Sequence, residues 1–449
     1  MPALRKDDRI PMSMGGFATV VGDKPLGSGA QGEVYIVEYK GARRALKWYI
    51  SSKIKENDEF RKNLVRNAEA GPPSPYFVWP IDVSLPYKGG YGYVMELFPE
   101  GNELFSDFLR TYRMSKGKVP VKIPVRFKEF DKLVLAGIRI VDSFSALHRT
   151  GKSYQDLNDG GISMNLDSGE ILICDCDNIA ADGTNFGIAG KQGYMAPEIV
   201  LNRNRPNVYS DRFSMAVILF KLFFRDDPFC GAKVCACCNL TDANYRRFYG
   251  EEPVFLFDPN DDSNRPVKGV SDNVIRMWAN YPQFIRDLFL RAFVDGLRDP
   301  PSRPIETEWI SALCRFRAAV VRCDCGSTSF FQGRAEDGFA CPKCGRRHPV
   351  LAMNGVPVVL TRSTVLYRSQ TREGSEDNAT VSARVVENRN HPGVLGLKNF
   401  DDVAWEAAGP DGAFKAVAPG NAVPIRAGMD IRFDRKTRGV LIWRKDDGE

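Results

Sequence analysis

The segment Gly27-Ser28-Gly29-Ala30-Gln31-Gly32-Glu33-Val34 constrains the fold most, because it lies between two stretches that both read as β-strands. Glycines there let backbone amides approach an anion with no Cβ in the way. Tyr35-Ile36-Val37 then continues as strand rather than as the helix that a dinucleotide-binding turn would open. Residues 19–21, 34–39, 44–49 and 91–97 are β-branched or aromatic and bounded by glycine turns, which predicts a strand-rich lobe. A polar helical stretch over 52–70 interrupts it and stops at Gly71-Pro72-Pro73. Apolar residues recur at helical spacing over 127–148, 209–224 and 281–297, and a last helix is expected over 307–321. A helix-rich lobe therefore follows the strands.

Further residues fall in a telling order. Lys47 lies in Ala45-Leu46-Lys47, where a strand lysine neutralises phosphate oxygens. Met95-Glu96-Leu97-Phe98 ends an apolar strand, placing backbone groups where an adenine edge could be read. Leu147-His148-Arg149-Thr150-Gly151 leads into Tyr154-Gln155-Asp156-Leu157-Asn158, and Ile171-Leu172-Ile173-Cys174-Asp175 supplies a second aspartate. Tyr194-Met195-Ala196-Pro197-Glu198, Asp211 and Arg303 complete the series. From about residue 19 to 320 the chain resembles the eukaryotic-type Ser/Thr protein kinases. The resemblance implies an α+β, bilobal kinase fold that uses ATP with Mg²⁺ or Mn²⁺ and acts on Ser/Thr hydroxyls of a protein substrate or of itself. It implies nucleotide contacts from Gly27, Ser28, Gly29, Gly32, Val34, Ala45, Lys47, Met95, Glu96 and Phe98. Asp156 would orient the substrate hydroxyl and Asp175 would bind magnesium. Glu198 and Arg303 resemble the buried ion pair of the large lobe, and Asp211 resembles the aspartate that braces the catalytic loop.

The catalytic loop departs from the family pattern His-Arg-Asp-Leu-Lys. Gln155 removes the arginine that reads an activation-loop phosphate, and residues 178–193 offer only Thr184 as an acceptor, so switching by phosphorylation there is not expected. Asn158 replaces the lysine that steadies the transferred phosphate, while Lys191 stands where Ser/Thr kinases carry a threonine. These two changes are expected to compensate, with Lys191 reaching the γ-phosphate. The metal-binding asparagine falls on Gly161, or on Ile162 if the loop carries an insertion, so Asn158, Asp159 or Asp177 is left to supply oxygen ligands beside Asp175. The helix glutamate that should pair with Lys47 is open among Glu56, Glu59 and Glu69. A nucleotide-binding pseudokinase scaffold is the alternative.

Cys323-Asp324-Cys325-Gly326 and Cys341-Pro342-Lys343-Cys344-Gly345 form two knuckles that can close a tetrahedral zinc site, with short strands over 329–331 and 338–340. So small a segment depends on the metal for its stability. Arg346-Arg347-His348 adds little charge and no stacking stripe, so a spacer is expected rather than nucleic-acid binding. Cys230, Cys235, Cys237 and Cys238 are irregularly spaced and read as free or buried thiols. Residues 350–443 alternate apolar and polar side chains between turns such as Gly409-Pro410-Asp411-Gly412, predicting a small all-β domain. Leu395-Gly396-Leu397-Lys398-Asn399 and Val417-Ala418-Pro419-Gly420 through Ile431-Arg432-Phe433 resemble a degenerate forkhead-associated domain, without its Gly-Arg and Ser-x-x-His elements. The expected layout is kinase N-lobe 1–98, kinase C-lobe 99–320, zinc ribbon 321–349 and β-sandwich 350–449.

With Gly71-Pro72-Pro73 and the stretch from Phe257-Asp258-Pro259 to Arg265-Pro266, this order of parts resembles bacterial tellurite-resistance-associated kinases. That resemblance implies partners containing a von Willebrand A domain and a metal-dependent protein phosphatase. The net charge of +6, from 62 basic and 56 acidic residues, supplies no strong field for nucleic acid or an anionic membrane. The first sixteen residues carry Arg5, Lys6, Asp7, Asp8 and Arg9 where a signal peptide needs an apolar run, and residues 215–224 are too short to span a bilayer. A cytoplasmic protein is expected.

Overall fold

The computed structural model describes residues 3–29, 31–110, 112–114, 120–122, 130–187, 190–237, 239–408 and 412–443, with 112–114 and 120–122 as backbone only. Ala30, residues 127–129 of the expected helix, Cys238 and the turn at 409–411 lie outside the described residues. The chain divides into two compact units, Met1–Trp278 with Asp287–Ile310, and Ala279–Arg286 with Ser311–Glu449. No helix among the described residues is long and apolar enough to cross a membrane.

The first unit begins with a seven-stranded antiparallel sheet. Its strands run in the order Arg9–Pro11, Phe17–Val20, Gly32–Tyr39, Ala42–Tyr49, Gly92–Met95, Asp82–Val83, with Gly27–Ser28 paired to Gly32–Tyr39. Alternation along Ala42–Tyr49 feeds two apolar clusters. Leu46 and Trp48 join Tyr35, Val37, Tyr39 and Val94 on one face, while Ala45 and Tyr49 join Phe60, Leu64 and Met95 on the other. The helix expected over 52–70 is split into Ser52–Lys55 and Asp58–Ala70, because Asn57 between them turns to cap the second: its side chain accepts from Phe60 N at 3.0 Å. Gly71, at φ 75°, ends that helix in a conformation glycine adopts without cost.

The helical part is organised around Phe130–Arg149 and Val208–Phe224. The second is apolar on nearly every face and accordingly buried, which makes it the hub of this lobe. Asn207 starts it with a reciprocal cap, accepting from Tyr209 N and Ser210 N while its own N–H donates to Ser210 Oγ at 2.9 Å. The buried Arg303 guanidinium forks onto both oxygens of Glu198 at 2.7 and 2.9 Å and also donates to the carbonyls of Gly296 and Tyr209. Gly296 is required there, since a Cβ would lie 2.5 Å from Arg303 Cγ.

In the second unit, Val320–Arg322 pairs with Thr328–Phe330 and Phe339–Ala340 with Arg347–His348, two hairpins whose turns carry the cysteine pairs. Gly326 (φ 79°) and Gly345 (φ 73°) take the left-handed conformation that closes each knuckle. Two antiparallel sheets follow. Six strands run in the order Val356–Val359, Val350–Met353, Arg438–Ile442, Asp430–Arg432, Trp405–Ala408, Phe414–Val417, and four in the order Val365–Tyr367, Val381–Glu387, Leu395–Asn399, Ala422–Pro424. Leu351, Leu366, Val385, Leu397, Trp405, Ile431 and Leu441 from both sheets share one buried cluster.

An ion cluster in the first unit makes its stability depend on pH. His148 Nε2 lies 3.2 Å from Asp211 Oδ2 and Nδ1 lies 2.9 Å from Glu306 Oε1, while Arg212 forks onto Glu306 at 2.8 and 3.1 Å. Burial opposes the imidazolium, but the bonds to Asp211 and Glu306 outweigh it and push the His148 pKa up to about 9. A folded-state pKa raised above the ordinary 6.5 gives stability that is complete below 6.5 and lost as pH rises through 9. Urea unfolding of the first unit should lose on the order of 3 kcal/mol of stability across that window. His148→Gln should flatten the slope, and an unchanged slope would reject the assignment.

Candidate active site

The glycine-rich hairpin is built by close approach. Gly27 and Ser28 pair with Val34 and Glu33, and Gly29 N donates to Gly32 O at 2.9 Å. A Cβ on Gly32 would lie 2.3 Å from Trp48 O, so only glycine lets the hairpin pass over that strand. A Cβ on Gly27 or Gly29 would meet nothing within 4 Å, so open space borders the hairpin at both positions. Val34 stands opposite Lys47 and Ala45 opposite Met95 in the sheet, so the four share one face. Ala45 and Met95 are buried, Val34 is half-buried, Glu96 is exposed beside Arg44, and Phe98 is exposed.

Lys47 is 7% exposed. Its Nζ donates to Asp175 Oδ1 at 3.0 Å and Asp177 Oδ1 at 3.1 Å, with Asp177 Oδ2 at 2.9 Å and Gln31 Oε1 at 3.5 Å. Burial disfavours the ammonium, but the carboxylates of Asp177 and Asp175 overcome that and hold its pKa above the ordinary lysine value. Asp175 sits in the left-handed region (φ 51°, ψ 39°) where strand Ile171–Ile173 gives way to the turn Cys176–Asn178. That conformation brings two carboxylates, two residues apart, to one ammonium. Asp175 keeps half its side chain exposed, whereas Asp177 is fully buried and also accepts from Tyr49 OH at 2.7 Å.

The helix glutamates do not reach Lys47. Glu56, Glu59 and Glu69 are exposed, and Glu59 pairs with Lys62. The inner face of Asp58–Ala70 carries Phe60, Asn63, Leu64 and Asn67 instead. Asn63 and Asn67 each donate to the Ile179 carbonyl at 2.8 Å, and Asn57 donates to the Phe186 carbonyl at 3.2 Å. The helix is thus docked by neutral amides on the segment that follows Asp177.

Asp211 holds the loop bearing Asp156. Its carboxylate accepts from Tyr154 N at 2.5 Å and Gln155 N at 3.0 Å, with Gln155 at φ 77°. Gln155 Nε2 donates to the Thr184 carbonyl at 2.5 Å, so a neutral amide ties this loop to the segment beyond. Asp156 Oδ1 accepts from Lys191 N and Asn158 Nδ2, each at 3.0 Å. Burial pushes its pKa up to about 6; those two hydrogen bonds oppose the rise, and the charges of Asp175 and Asp177 add to it. Asn158 Oδ1 accepts from Gly160 N at 2.9 Å. The Lys191 ammonium rests on Asp159.

Tyr49, Gln31 and the pairing of Asp177 with Lys47 were not anticipated from the sequence. The alternation Lys47-Trp48-Tyr49 was the available signal, since it places Tyr49 on the lysine's side of the strand.

In the second unit, the Sγ atoms of Cys323, Cys325, Cys341 and Cys344 all lie within 4.8 Å of one another. Cys323–Cys344 and Cys325–Cys341 are each 3.7 Å apart, against about 3.8 Å for thiolates on a tetrahedral zinc with bonds of about 2.3 Å. His348 Nε2 lies 3.3 Å from Cys323 Sγ, a polar partner for a ligating sulfur. The four-cysteine site is compatible with zinc. No second group of three or more such ligands forms among the described residues; Cys230 and Cys237 are half-buried and Cys235 is exposed.

Comparison with known proteins bears on the first unit. CBL-interacting protein kinase 4 of Oryza sativa subsp. japonica is 27% identical over 177 residues, 36% of this chain and 36% of that protein. Serine/threonine-protein kinase sck2 of Schizosaccharomyces pombe is 26% identical over 235 residues, 50% of this chain and 32% of that protein. The chain therefore spans about a third of the length of these curated relatives. The crystal structure of the Mycobacterium tuberculosis PknI kinase domain covers 70% of this chain and 99% of its own, at 19% identity and a TM-score of 0.44. The model of the protein kinase domain matches residues 21–276, more than half of the 449, and the chain belongs to the protein kinase family.

Proposed function

We propose that the first unit is a protein Ser/Thr kinase, transferring the γ-phosphoryl group of ATP to a protein hydroxyl. The observation that carries this reading is the Lys47 ammonium on Asp175, beside a glycine-rich hairpin bordered by open space at Gly27 and Gly29. Bound ATP supplies the phosphoryl group, and Mg²⁺ or Mn²⁺ neutralises its charge. Lys47 holds the phosphates, and the half-exposed Asp175 with the Asn158 amide oxygen offers ligands to the cation. Asp156 orients the substrate hydroxyl and is ionised above about pH 6.

Lys191 is the proposed γ-phosphate contact in place of the missing loop lysine, exchanging Asp159 for the nucleotide. The kinase lobes are assigned to 1–98 and 99–320, followed by a zinc ribbon over 321–349 and a sandwich over 350–449. Zinc closes the ribbon, and the forkhead-associated-like sandwich serves as a structural or protein-binding module. The resemblance to tellurite-resistance-associated kinases supports bacterial signalling in the cytoplasm with a von Willebrand A domain protein and a metal-dependent protein phosphatase.

Three measurements test these assignments. With radiolabelled ATP and Mg²⁺ or Mn²⁺, wild type should label itself or a generic substrate and Asp175→Ala should not. ATP binding without label would move the reading to a nucleotide-binding scaffold. In the same assay Lys191→Met should lose at least tenfold in kcat, about 1.4 kcal/mol of transition-state stabilisation, with nucleotide Kd unchanged; full activity would reject its role. Metal analysis should find one zinc per chain, and Cys341→Ser should abolish it and lower the melting temperature of the second unit, whose ribbon cluster includes Cys323 and Cys341. Wild type without zinc after metal-replete purification would remove the ribbon assignment.

A further inference from the structure

Lys47 has an anionic partner beyond the proposed metal ligand, and it does not come from the helix. Asp177 is fully buried and lies two residues after Asp175, so the same turn delivers both carboxylates. Its two oxygens are engaged by Lys47 at 3.1 and 2.9 Å and by Tyr49 OH at 2.7 Å. A carboxylate so enclosed has no face left for a hydrated cation, which needs several oxygens around it. Meanwhile the helix turns asparagines inward, and its glutamates face solvent.

We infer that Asp177 is the positioning residue that fixes Lys47 for phosphate contact, replacing a helix glutamate, so that the lysine's placement is independent of the helix Asp58–Ala70. The inference rests on the ATP-site reading above. A buried ammonium with one half-exposed partner is free to swing toward solvent, whereas a second, fully buried carboxylate pins it. Tyr49 then pins that carboxylate from the same strand as Lys47, closing a ring of hydrogen bonds between strand and turn. The helix acts elsewhere, since Asn63 and Asn67 hold the Ile179 carbonyl and so fix the exit of the chain from the turn.

A double-mutant cycle separates positioning through Lys47 from general support of the fold. Asp177→Asn keeps the size of the side chain and an acceptor for Tyr49 but removes the charge. It should lower kcat/KM for ATP at least tenfold, chiefly through KM. In a Lys47→Met background the same change should alter ATP·Mg affinity less than twofold. Glu56→Gln, Glu59→Gln and Glu69→Gln should each stay within twofold of wild type. If Asp177→Asn does not fold, Tyr49→Phe replaces it, with a severalfold rise in KM that also vanishes in the Lys47→Met background. Wild-type kinetics in Asp177→Asn, losses that multiply with Lys47→Met, or a helix-glutamate variant that reproduces the defect would each overturn the inference. A wild type that binds ATP without transferring it defeats only the enzyme reading, and the cycle then reads the same pairing in Kd.

Discussion

An ammonium removed from water must be met by negative charge, and in this chain that requirement ties together segments 128 and 130 residues apart in sequence. Lys47 lies in the buried half of its strand, while Asp175 beside it keeps half its side chain exposed. The turn that bears Asp175 and Asp177 is therefore bound to the sheet by electrostatics as well as by packing. Three neighbouring parts meet at that junction: the hairpin pairs alongside the strand, the turn lies against it, and the loop bearing Asp156 feels the charge of both carboxylates.

The parts legible in the sequence are those fixed by local order. Gly27, Gly29, Gly32, Lys47 and Asp175 follow one another in the order that the protein-kinase resemblance implies, and the fold brings Lys47 and Asp175 into contact. The pair Glu198 and Arg303, 105 residues apart, and the bracing Asp211 were legible only through the resemblance to the protein kinases. Less readable was anything that depends on how a helix is rotated about its own axis. Three glutamates on 52–70 were all open partners for Lys47, yet the apolar positions Phe60 and Leu64 settle the rotation and turn Asn63 and Asn67 inward. The break at Asn57 was missed because an asparagine within a polar helical run reads equally well as interior or as cap. Asp177 read as a source of metal oxygens because a sequence does not show burial.

In the second unit the cysteine knuckles were visible from spacing and from the glycine after each pair, which the left-handed conformations of Gly326 and Gly345 explain. The many short strands beyond them were visible from alternation. Their arrangement was not: Val350–Met353 lies beside Arg438–Ile442, a pairing between the two ends of the domain that no local pattern encodes. Antiparallel neighbours that are distant in sequence are chosen by which faces bury together, and that is a property of the finished core.

Asp211 belongs to the first turn of a deeply buried helix, yet its two oxygens hold the backbone of the loop bearing Asp156. The loop is also tied to the segment beyond, where Gln155 Nε2 donates to the Thr184 carbonyl and Asp156 Oδ1 accepts from Lys191 N, so its geometry is set by the core and by that segment together. Loosening of the first turn of that helix therefore reaches the Tyr154 and Gln155 amides directly, across 57 and 56 residues of sequence.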